Sequence, residues 1–443
     1  MEVSASTKYS VPRGFRDFPP EVTLLRKRII GVIEGVFERY GFDPFETPVI
    51  EYWETLKGKY GEEVESKLLY RFQDPWSGEW LALRYDLTVP LARFVAGQAL
   101  TLPFKRYHVG RVWRHERPQK GRYREFWQCD ADIVGSPYPE ADAEVIDVVC
   151  DVMESLGYSE FRVRLNDRRL LRGIFEEELN LSRYGEGKVL EVFRAIDKLE
   201  KIGRDGVEAE LTRIGLGSSE VEKIMGVVDV SGNPEETLNE LEAQFKENES
   251  VCTAVDHLKG VIDASSHKNN LTLDLSMVRG LDYYTGPIFE VYVEEPKIGA
   301  LAGGGRYDDL IERYGGPRTP STGVSVGLER IIDAGLELGL FNLERKTCTQ
   351  VFVVSMDEKY WSYAHNVGRE LRREGLKVQV DLMRRSYKKQ LEYCEKKGIN
   401  AIVFVGEKEA STGTVTIYFK DGKRRYEQVA LNEAIKFLRQ ETY

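Results

Sequence analysis

Arginine side chains are concentrated in one short segment that could bind anions. The segment 110–135 reads GRVWRHERPQKGRYREFWQCDADIVG, and Phe126 and Trp127 lie directly behind its basic part. Five arginines fall within it: Arg111, Arg114, Arg117, Arg122 and Arg124. Planar guanidinium groups bind phosphate oxygens in pairs and stack on aromatic rings. The segment therefore predicts a phosphate-binding site, although a solvated basic hairpin would have the same composition.

Three further segments could surround a polar ligand. RGLDYYTG (279–286) places an arginine, an aspartate and two tyrosines within six positions. AGGGRYDDL (302–310) contains three glycines, which allow a backbone to approach a ligand but also occur in ordinary turns. GVSVGLER (323–330) puts small residues on a predicted strand and Arg330 at the start of a helix, where phosphate is favoured.

Other kinds of chemistry lack the residues that they need. GEGKV (185–189) is only half of a phosphate-binding P-loop, because Ser182 and Val189 stand where the motif needs Gly and Ser/Thr. The five histidines show no metal-ligand spacing, so we predict no metal site from a protein motif. No serine or cysteine nucleophile motif occurs. This inventory favours catalysis by positioning and charge stabilisation rather than covalent catalysis.

The composition is that of a folded protein with an uneven charge distribution. A chain of 443 residues with 42% hydrophobic and 31% charged residues predicts two or three domains. We expect neither a secretory signal nor a membrane span, and five scattered cysteines fit a reducing cytoplasm. The net charge is −10, yet from Thr347 onward 18 Lys and Arg stand against 13 Asp and Glu. A basic C-terminal segment is compatible with local contact to nucleic acid phosphates.

The spacing of apolar residues predicts how these segments are positioned. An apolar stripe predicts a helix over 21–40, which Gly41 would end. Strand-like segments at 80–85 and 104–112 make the first 165 residues a mixed α/β body with antiparallel character. From Asn166 to about Ala264 the chain reads as helical and charged, and strands return at LTLDLSMV and IFEVYVEE. The simplest interpretation is a helical insertion within one discontinuous domain.

The last hundred residues alternate between strand and helix patterns. Strands are predicted at 350–356, 377–382, 401–406 and 415–419, and helices at 361–374, 387–397 and 431–439. Such short connections predict a small α/β domain with a mostly parallel sheet.

These segments resemble a known family. FETPVI with Pro48, the run from Arg114 to Arg124, and GVSVGLER resemble motifs 1, 2 and 3 of class II aminoacyl-tRNA synthetases. RGLDYYTG and AGGGRYDDL resemble the two histidine-specific signatures of histidyl-tRNA synthetases, and the resemblance covers essentially the whole chain. RYDLTVP (84–90), LNDRR (165–169) and AIDKLEK (195–201) resemble the archaeal and eukaryotic branch rather than the bacterial one.

The resemblance implies a fold and a reaction. The fold would be α/β: an antiparallel-sheet catalytic domain in two parts, 1–165 and 265–342, around a helical insertion at 166–264. An α/β anticodon-binding domain would span 343–443. The protein would be a cytoplasmic homodimer, with motif 1 in the interface. It would activate L-histidine with ATP and Mg²⁺ to histidyl-adenylate and pyrophosphate, and then transfer histidine to the terminal adenosine of tRNA(His).

The resemblance also implies roles for individual residues. For histidine, the resemblance implies that Asp86, Thr88 and Gln128 contact the α-amino group. Asp132 and Tyr284 would contact the imidazole, with Tyr283 beside them. Leu87, Tyr307 and Gly303 to Gly305 would line the pocket. Arg114 would bridge the histidine carboxylate and the α-phosphate, Arg279 would lie on the opposite side of that phosphate, and Arg330 would bind near the γ-phosphate. ATP would also contact Glu116, Arg122 and Phe126, and the tRNA acceptor stem would meet Arg117, Gln119 and Arg122. Bacterial members of this family have glutamates where this chain has Asp86 and Asp132, whose side chains are shorter by one methylene group.

Three alternatives compete with this interpretation. A non-catalytic paralogue could regulate histidine biosynthesis or sense uncharged tRNA, but such chains usually lose the histidine signature or the C-terminal domain. A class II synthetase for another amino acid would lack the two histidine-specific segments. An unrelated nucleotide-binding module would not contain five motifs in this order.

Overall fold

The structure is a computed structural model that describes residues 9–59, 67–185, 187–278 and 283–442. Within these ranges the chain forms two compact units. The first unit contains residues 9–17 and 29–341, and the second contains residues 18–28 and 342–442. Among the described residues, no helix is long and apolar enough to cross a membrane.

Two large sets of strands form the sheets of the two units. The described strands of the first unit are β1 (Asp43–Pro44), β2 (Ile50–Tyr52), β3 (Arg71–Gln73), β4 (Trp80–Leu83), β5 (Phe104–Trp113), β6 (Glu125–Val134), β7 (Arg162–Asp167), β8 (Ser231–Gly232), β9 (Leu271–Asp274), β10 (Pro287–Tyr292), β11 (Ala302–Arg306) and β12 (Ser321–Gly327). Those of the second unit are β13 (Val351–Ser355), β14 (Val378–Val380), β15 (Ala401–Val405), β16 (Thr414–Phe419) and β17 (Arg424–Ala430).

Helices pack against these sheets and fill the predicted helical stretch. The described α-helices up to residue 341 are α1 (Pro20–Arg39), α2 (Trp53–Leu56), α3 (Thr88–Ala96), α4 (Pro139–Ser155), α5 (Arg168–Arg172), α6 (Lys188–Ile196), α7 (Leu199–Arg213), α8 (Ser218–Val228), α9 (Pro234–Gln244), α10 (Glu249–Ala264) and α11 (Leu328–Glu337). In the second unit they continue with α12 (Trp361–Arg373), α13 (Tyr387–Lys397), α14 (Glu407–Thr412) and α15 (Leu431–Thr442). The segment 166–264 contains α5–α10, a π-helix at Gly173–Glu178 and the short strand β8.

The first unit is built on a large sheet that is mainly antiparallel. Its described strands lie in the order β1-β5-β6-β12-β11-β10-β7-β9-β8. All pairings between β5 and β7 along this order are antiparallel, whereas β1–β5 and β7–β9 are parallel. The predicted antiparallel character of this body is therefore confirmed. The glycine run of AGGGRYDDL lies in β11, in the middle of this sheet, rather than in a turn.

Helix α1 shows how the apolar pattern produces this packing. Leu25, Ile29 and Val36 recur on one stripe and are at most 5% exposed. The helix ends at Arg39, and Gly41 follows with φ +74°, which a residue with a side chain adopts only under strain. The helix predicted from the apolar spacing is therefore present at the predicted place.

The second unit has an α/β fold with a mixed sheet. Its strand order is β14-β13-β15-β16-β17. The pairs β13–β14 and β13–β15 are parallel, but β15–β16 and β16–β17 are antiparallel. The prediction of a mostly parallel sheet is therefore wrong. The sequence pattern missed β17, whose short connection from β16 forms a hairpin, because β17 carries exposed polar residues at most positions.

Candidate active site

A cavity of about 330 Å³ lies on one face of the large sheet. On β6, Gln128, Asp130 and Asp132 alternate with residues of the opposite face, so all three side chains point to this side. The strand β12 pairs with β6 and places Gly323 opposite Asp132. A Cβ atom added at Gly323 would meet Asp132 Oδ1 at 2.2 Å, so glycine is required beside that carboxylate.

The cavity brings together most of the residues that the sequence predicted. Of the predicted histidine and ATP contacts, its lining contains Asp86, Thr88, Arg114, Glu116, Arg122, Phe126, Gln128, Asp132, Tyr283, Tyr284, Gly303, Gly304, Tyr307 and Arg330. These residues come from loops and strands as far apart in sequence as Asp86 and Arg330. The motifs that Sequence analysis identified in separate parts of the chain therefore surround a single cavity.

Five predicted residues do not line the cavity or cannot be placed. Gly305 is buried within β11 and is not part of the lining. Leu87 is fully buried in the wall, where its carbonyl oxygen accepts a hydrogen bond of 3.1 Å from Arg106 Nη2. Arg117 and Gln119 are exposed in the loop between β5 and β6. Arg279 lies outside the described residues.

The loop between β5 and β6 ends in a tight turn. The backbone N–H groups of Gln119 and Arg122 each donate to the other residue's carbonyl oxygen, at 3.1 and 2.9 Å. Gly121 has φ +70°, so this turn needs a glycine there. Arg122 folds back and pairs with Glu116, Nε to Oε2 at 3.0 Å. The turn therefore presents Arg122 to the cavity and leaves Arg117 and Gln119 facing solvent.

One end of the cavity is basic. The guanidinium carbon of Arg114 lies 4.3 Å from the centre of the Tyr85 ring and 5.0 Å from that of Phe126. Arg330, in the first turn of α11, donates from Nε to Gly121 O at 3.0 Å and from Nη1 to Ala300 O at 2.6 Å. Among the described residues, neither arginine forms an ion pair with a carboxylate. Burial, and then the charges of Arg114 and Arg122, lower the pKa of Arg330, so an anion at this end would stabilise all three cations.

The other end of the cavity is acidic, and tyrosine hydroxyl groups donate hydrogen bonds to its carboxylates. Asp86 Oδ2 accepts a hydrogen bond from the Tyr283 hydroxyl at 3.3 Å, and its Oδ1 accepts one from Val89 N at 3.0 Å. Asp132 Oδ1 accepts a hydrogen bond of 2.5 Å from the Tyr307 hydroxyl. Burial raises the pKa of Tyr307, and the neighbouring Asp132 raises it further, so this phenol stays a donor at neutral pH.

Sequence reasoning missed several polar residues at this end. Arg106 on β5 is fully buried and pairs with Asp132, Nη2 to Oδ2 at 2.7 Å. Asp130 and Ser325 face each other across β6 and β12 and both line the cavity. Glu290 on β10, which the sequence analysis also missed, lines the cavity between the two ends, where its charge acts on both Arg330 and Tyr284. These residues could have been found from the sequence, because polar residues occur at every second position of strands that are otherwise apolar.

One group outside the cavity has the residue types of a metal site. Asp151, Glu154 and His267 have ligand atoms within 4.8 Å of one another. Sequence spacing could not show this group, because His267 follows the two carboxylates by more than a hundred positions. The imidazole of His267 already contacts Asp151 Oδ1 at 3.0 Å and Glu154 Oε1 at 3.6 Å, so contacts among the three side chains account for the cluster.

The fold and the cavity define the class of this protein. A mainly antiparallel sheet carries the cavity, and an α/β unit follows in the chain. This is the fold of the class II aminoacyl-tRNA synthetases. A crystal structure of histidyl-tRNA synthetase from Nostoc agrees with a TM-score of 0.82 at 30% identity, covering 98% of this chain and 100% of that one.

Comparisons with known sequences identify the family. The family model described as histidyl-tRNA synthetase matches residues 14–331, and the one described as anticodon binding domain matches residues 350–441. The histidine–tRNA ligase of Aeropyrum pernix is 57% identical over 96% of each chain. That of Korarchaeum cryptofilum is 55% identical over 97% of this chain and 98% of its own. The chain therefore belongs to the histidyl-tRNA synthetase family, and these two relatives place it with archaeal members, as the sequence segments indicated.

Proposed function

We propose that the cavity carries out both steps by which histidine is joined to tRNA: adenylation with ATP and transfer to the terminal adenosine. The observation that carries this proposal is that one cavity joins an acidic end to a basic end. Histidine is an amino acid with a cationic ammonium group, a polar ring and an anionic carboxylate. Carboxylates and arginines so arranged fit the two charged ends of this substrate together with the phosphates of ATP.

The acidic end would bind histidine. Asp86, Thr88 and Gln128 would hold the α-ammonium group, in keeping with their burial and with the position of Asp86 beside Tyr283. The imidazole would lie among the remaining predicted contacts, which are Leu87, Asp132, Tyr283, Tyr284 and Tyr307. Buried polar groups left unpaired by a wrong amino acid cost free energy, which is how such a pocket discriminates.

The basic end would promote the first step. The histidine carboxylate attacks the α-phosphorus of ATP, an oxygen–phosphorus bond forms, and the bond to pyrophosphate breaks. A carboxylate needs no general base at neutral pH, so the barrier lies in bringing anions together and stabilising charge at phosphorus. Arg114 and Arg279 would supply fixed positive charge at that phosphorus, while Arg330, Arg122 and Glu116 would position the nucleotide and Phe126 would contact its adenine.

Magnesium would accompany ATP at the same end. Two carboxylates, Glu116 and Glu290, line the cavity together with the arginines. Mg²⁺ is typically bound by one or two carboxylates together with the phosphates of a nucleotide. The residues present therefore fit the ion, which would neutralise phosphate charge when bound with ATP.

Two separate surfaces would bind tRNA. The exposed loop residues Arg117 and Gln119, with Arg122 behind them, would meet the acceptor stem and guide its terminal adenosine into the cavity. A ribose hydroxyl of that adenosine would attack the adenylate and release AMP. The C-terminal α/β unit would bind the anticodon, where unstacked bases can be contacted. In this scheme 1–165 and 265–342 form the catalytic domain, 166–264 an insertion, and 343–443 the anticodon-binding domain.

We also propose a cytoplasmic homodimer. The motif 1 segment leads into β2, which belongs to a three-stranded sheet of order β2-β4-β3. Large apolar side chains on and next to this sheet are exposed: Ile50, Tyr52, Phe72, Trp76 and Trp80. A second copy would remove this surface from water. All five cysteines are free thiols, which fits a reducing compartment.

The decisive experiment is ATP–pyrophosphate exchange by the purified protein with each amino acid in turn. We expect exchange with histidine alone, because the other amino acids cannot satisfy the polar groups of the acidic end. Exchange with a different amino acid would mean that the specificity is wrong. Absence of exchange with every amino acid would favour a regulatory paralogue without catalytic activity.

A further inference from the structure

The N-terminal segment 12–17 lies outside the cavity but packs against the loop between β5 and β6. Gly14 O accepts a hydrogen bond of 3.0 Å from Arg124 N, and Arg124 O accepts one of 3.0 Å from Arg114 N. A Cβ atom added at Gly14 would lie 2.8 Å from Arg124 Cγ and 2.9 Å from Pro118 Cγ. The segment therefore lies directly against the base of the loop that carries Arg114.

A side chain of the same segment stacks on the loop. The guanidinium carbon of Arg16 lies 3.4 Å from the centre of the Tyr123 ring. Tyr123 lines the cavity, and its hydroxyl donates a hydrogen bond of 2.8 Å to Asp333 Oδ2 on α11. Burial, and then this hydrogen bond, raise the pKa of Tyr123 to about 12, so the phenol stays a donor at neutral pH. Tyr123 is therefore held by Arg16 and by α11.

Helix α11 holds the same loop at further points. Arg330, in the first turn of the helix, donates from Nε to Gly121 O at 3.0 Å. Glu337, the last residue of the helix, forms an ion pair with Lys120. The loop is thus held by two elements that are far apart in the sequence, the N-terminal segment and α11.

The side chains that this loop presents to the cavity include cations that we propose to bind ATP. Arg122 precedes Tyr123 in the chain, and Arg114 is hydrogen-bonded to Arg124 across the base of the loop. A surface loop can open locally at a lower free energy than the whole domain unfolds, and its contacts set that free energy. Cations on an open loop lose the fixed geometry through which they stabilise phosphate charge. Contacts that keep this loop closed should therefore affect the nucleotide more than the amino acid.

We propose that Arg16 is a positioning residue of the ATP site: it stacks on Tyr123 and holds the loop in the conformation that directs Arg122 and Arg114 to the nucleotide. Gly14 supports the same conformation at the base of the loop. Neither Arg16 nor Gly14 would contact a substrate. The inference rests on the proposed function, and it adds a control of the nucleotide-binding loop by residues outside the cavity.

Histidine-dependent ATP–pyrophosphate exchange tests the role of Arg16. We expect Arg16→Ala to raise the KM for ATP about 3- to 30-fold, which corresponds to the loss of one cation–aromatic contact. The KM for histidine should stay within about twofold of wild type, because the acidic end is unchanged. Arg16→Lys keeps a cation over the Tyr123 ring and should recover part of the affinity for ATP.

Arg13→Ala is the matched control. Arg13 belongs to the same segment and its side chain is exposed, whereas its carbonyl oxygen lies 3.4 Å from Arg124 Nη1. This variant loses an arginine side chain but keeps that carbonyl, so its KM for ATP should equal that of wild type. An unchanged KM for ATP in Arg16→Ala would overturn the proposal. An equal rise in the KM values for ATP and histidine would also overturn it, because that result indicates a general loss of structure.

Cleavage by trypsin reports on the loop without catalysis. Lys120 and Arg122 are trypsin sites within the loop. Cleavage follows the population of open loop, so these sites in Arg16→Ala should be cut about 3- to 30-fold faster than in wild type or Arg13→Ala. Equal cleavage rates in the three proteins would mean that Arg16 does not hold the loop. If wild type shows no histidine-dependent exchange but the cleavage rates differ as expected, the proposed function is wrong and the contact of Arg16 with the loop stands.

Discussion

Among the individual residues, those that fix positive charge beside the substrate determine whether adenylation can occur. Arg114 is held between two aromatic rings and has no carboxylate partner among the described residues, so its charge is available to a substrate. Arg279 is assigned by the resemblance of RGLDYYTG alone. If both act on the α-phosphate, each should contribute to the rate and neither should be needed for folding.

We therefore expect Arg279→His to lower the rate of histidyl-adenylate formation about 100-fold or more, because a well-aimed cation is lost. Arg114→Lys should give a comparable loss, since lysine keeps the charge but cannot stack or bind bidentately. Single-turnover formation of the adenylate measures both effects, and Tm checks the fold. Near-normal rates in Arg279→His would refute its assigned role.

The raised pKa of Asp130 also predicts how stability changes with pH. An unfolded aspartate titrates near pH 3.9, whereas Asp130 titrates at about 8 in the folded protein. Between these values the folded state holds a proton that the unfolded state lacks, so the free energy of unfolding falls as pH rises. Asp130→Asn removes this contribution, and its Tm should decrease less than that of wild type from pH 5 to pH 8.

The control for this pH effect is Asp263→Asn, which changes an exposed carboxylate at the end of α10. It should follow the wild-type dependence of Tm on pH. Equal slopes for Asp130→Asn and wild type would show that Asp130 is already ionised in the empty site.

At the scale of secondary structure elements, long segments with a clear apolar period were predictable. Helix α13 was predicted at its observed bounds, and β5, β12 and α11 lie where the pattern placed them. The missed helix α14 has six residues and no apolar stripe, and the missed strand β17 is mostly exposed. Neither element buries enough apolar side chains to produce a periodic apolar pattern in the sequence.

The site was predictable only in part, for a related reason. Motif residues such as Arg114 and Tyr284 were found because their segments resemble a family. Asp130 and Arg106 were missed because a pattern of residue types shows neither the cross-strand register nor which buried polar group lacks a partner. Asp130 faces His108 and Ser325 only once β5, β6 and β12 are paired.

Substitutions of the glycines in β11 can test how closely this strand packs against β12. At Gly304, an added Cβ would lie 2.2 Å from Gly323 O and 2.9 Å from Val324 Cα, both backbone atoms of β12. At Gly303 the nearest atoms are 3.4 Å away, an ordinary contact. We expect Gly304→Ala to destabilise the protein by about 1–3 kcal/mol, because the paired strand must shift. Gly303→Ala should leave the free energy of unfolding within about 1 kcal/mol of wild type.

Urea unfolding of the two variants and the wild type measures this difference. An added methyl group at Gly303 would lie in the cavity beside Glu290, so this variant should raise the KM of a substrate in the exchange reaction. Equal stabilities of the two variants would mean that β11 and β12 are not packed as closely as this register requires.

For the whole molecule, the distribution of charge and the lining of the two cavities indicate different functions for the two units. The chain is acidic overall, yet its last hundred residues are basic, so a polyanion would be attracted to that part. The second unit has its own cavity, of about 520 Å³. Aromatic and basic side chains border it: Tyr387, Phe404, Tyr418, Lys420 and Arg425. Unstacked nucleobases stack on aromatic rings while cations bind their phosphates.

If this second cavity binds a tRNA base, its substitution should affect tRNA charging and spare adenylation. We expect the double variant Lys420→Ala/Arg425→Ala to raise the KM for tRNA about tenfold, because two phosphate contacts are lost. Histidine-dependent pyrophosphate exchange should be unchanged, since that reaction needs no tRNA. Lys436→Ala, an exposed cation of α15 that does not border the cavity, should leave both reactions unchanged. An unchanged KM for tRNA in the double variant would mean that the anticodon is read elsewhere on the unit.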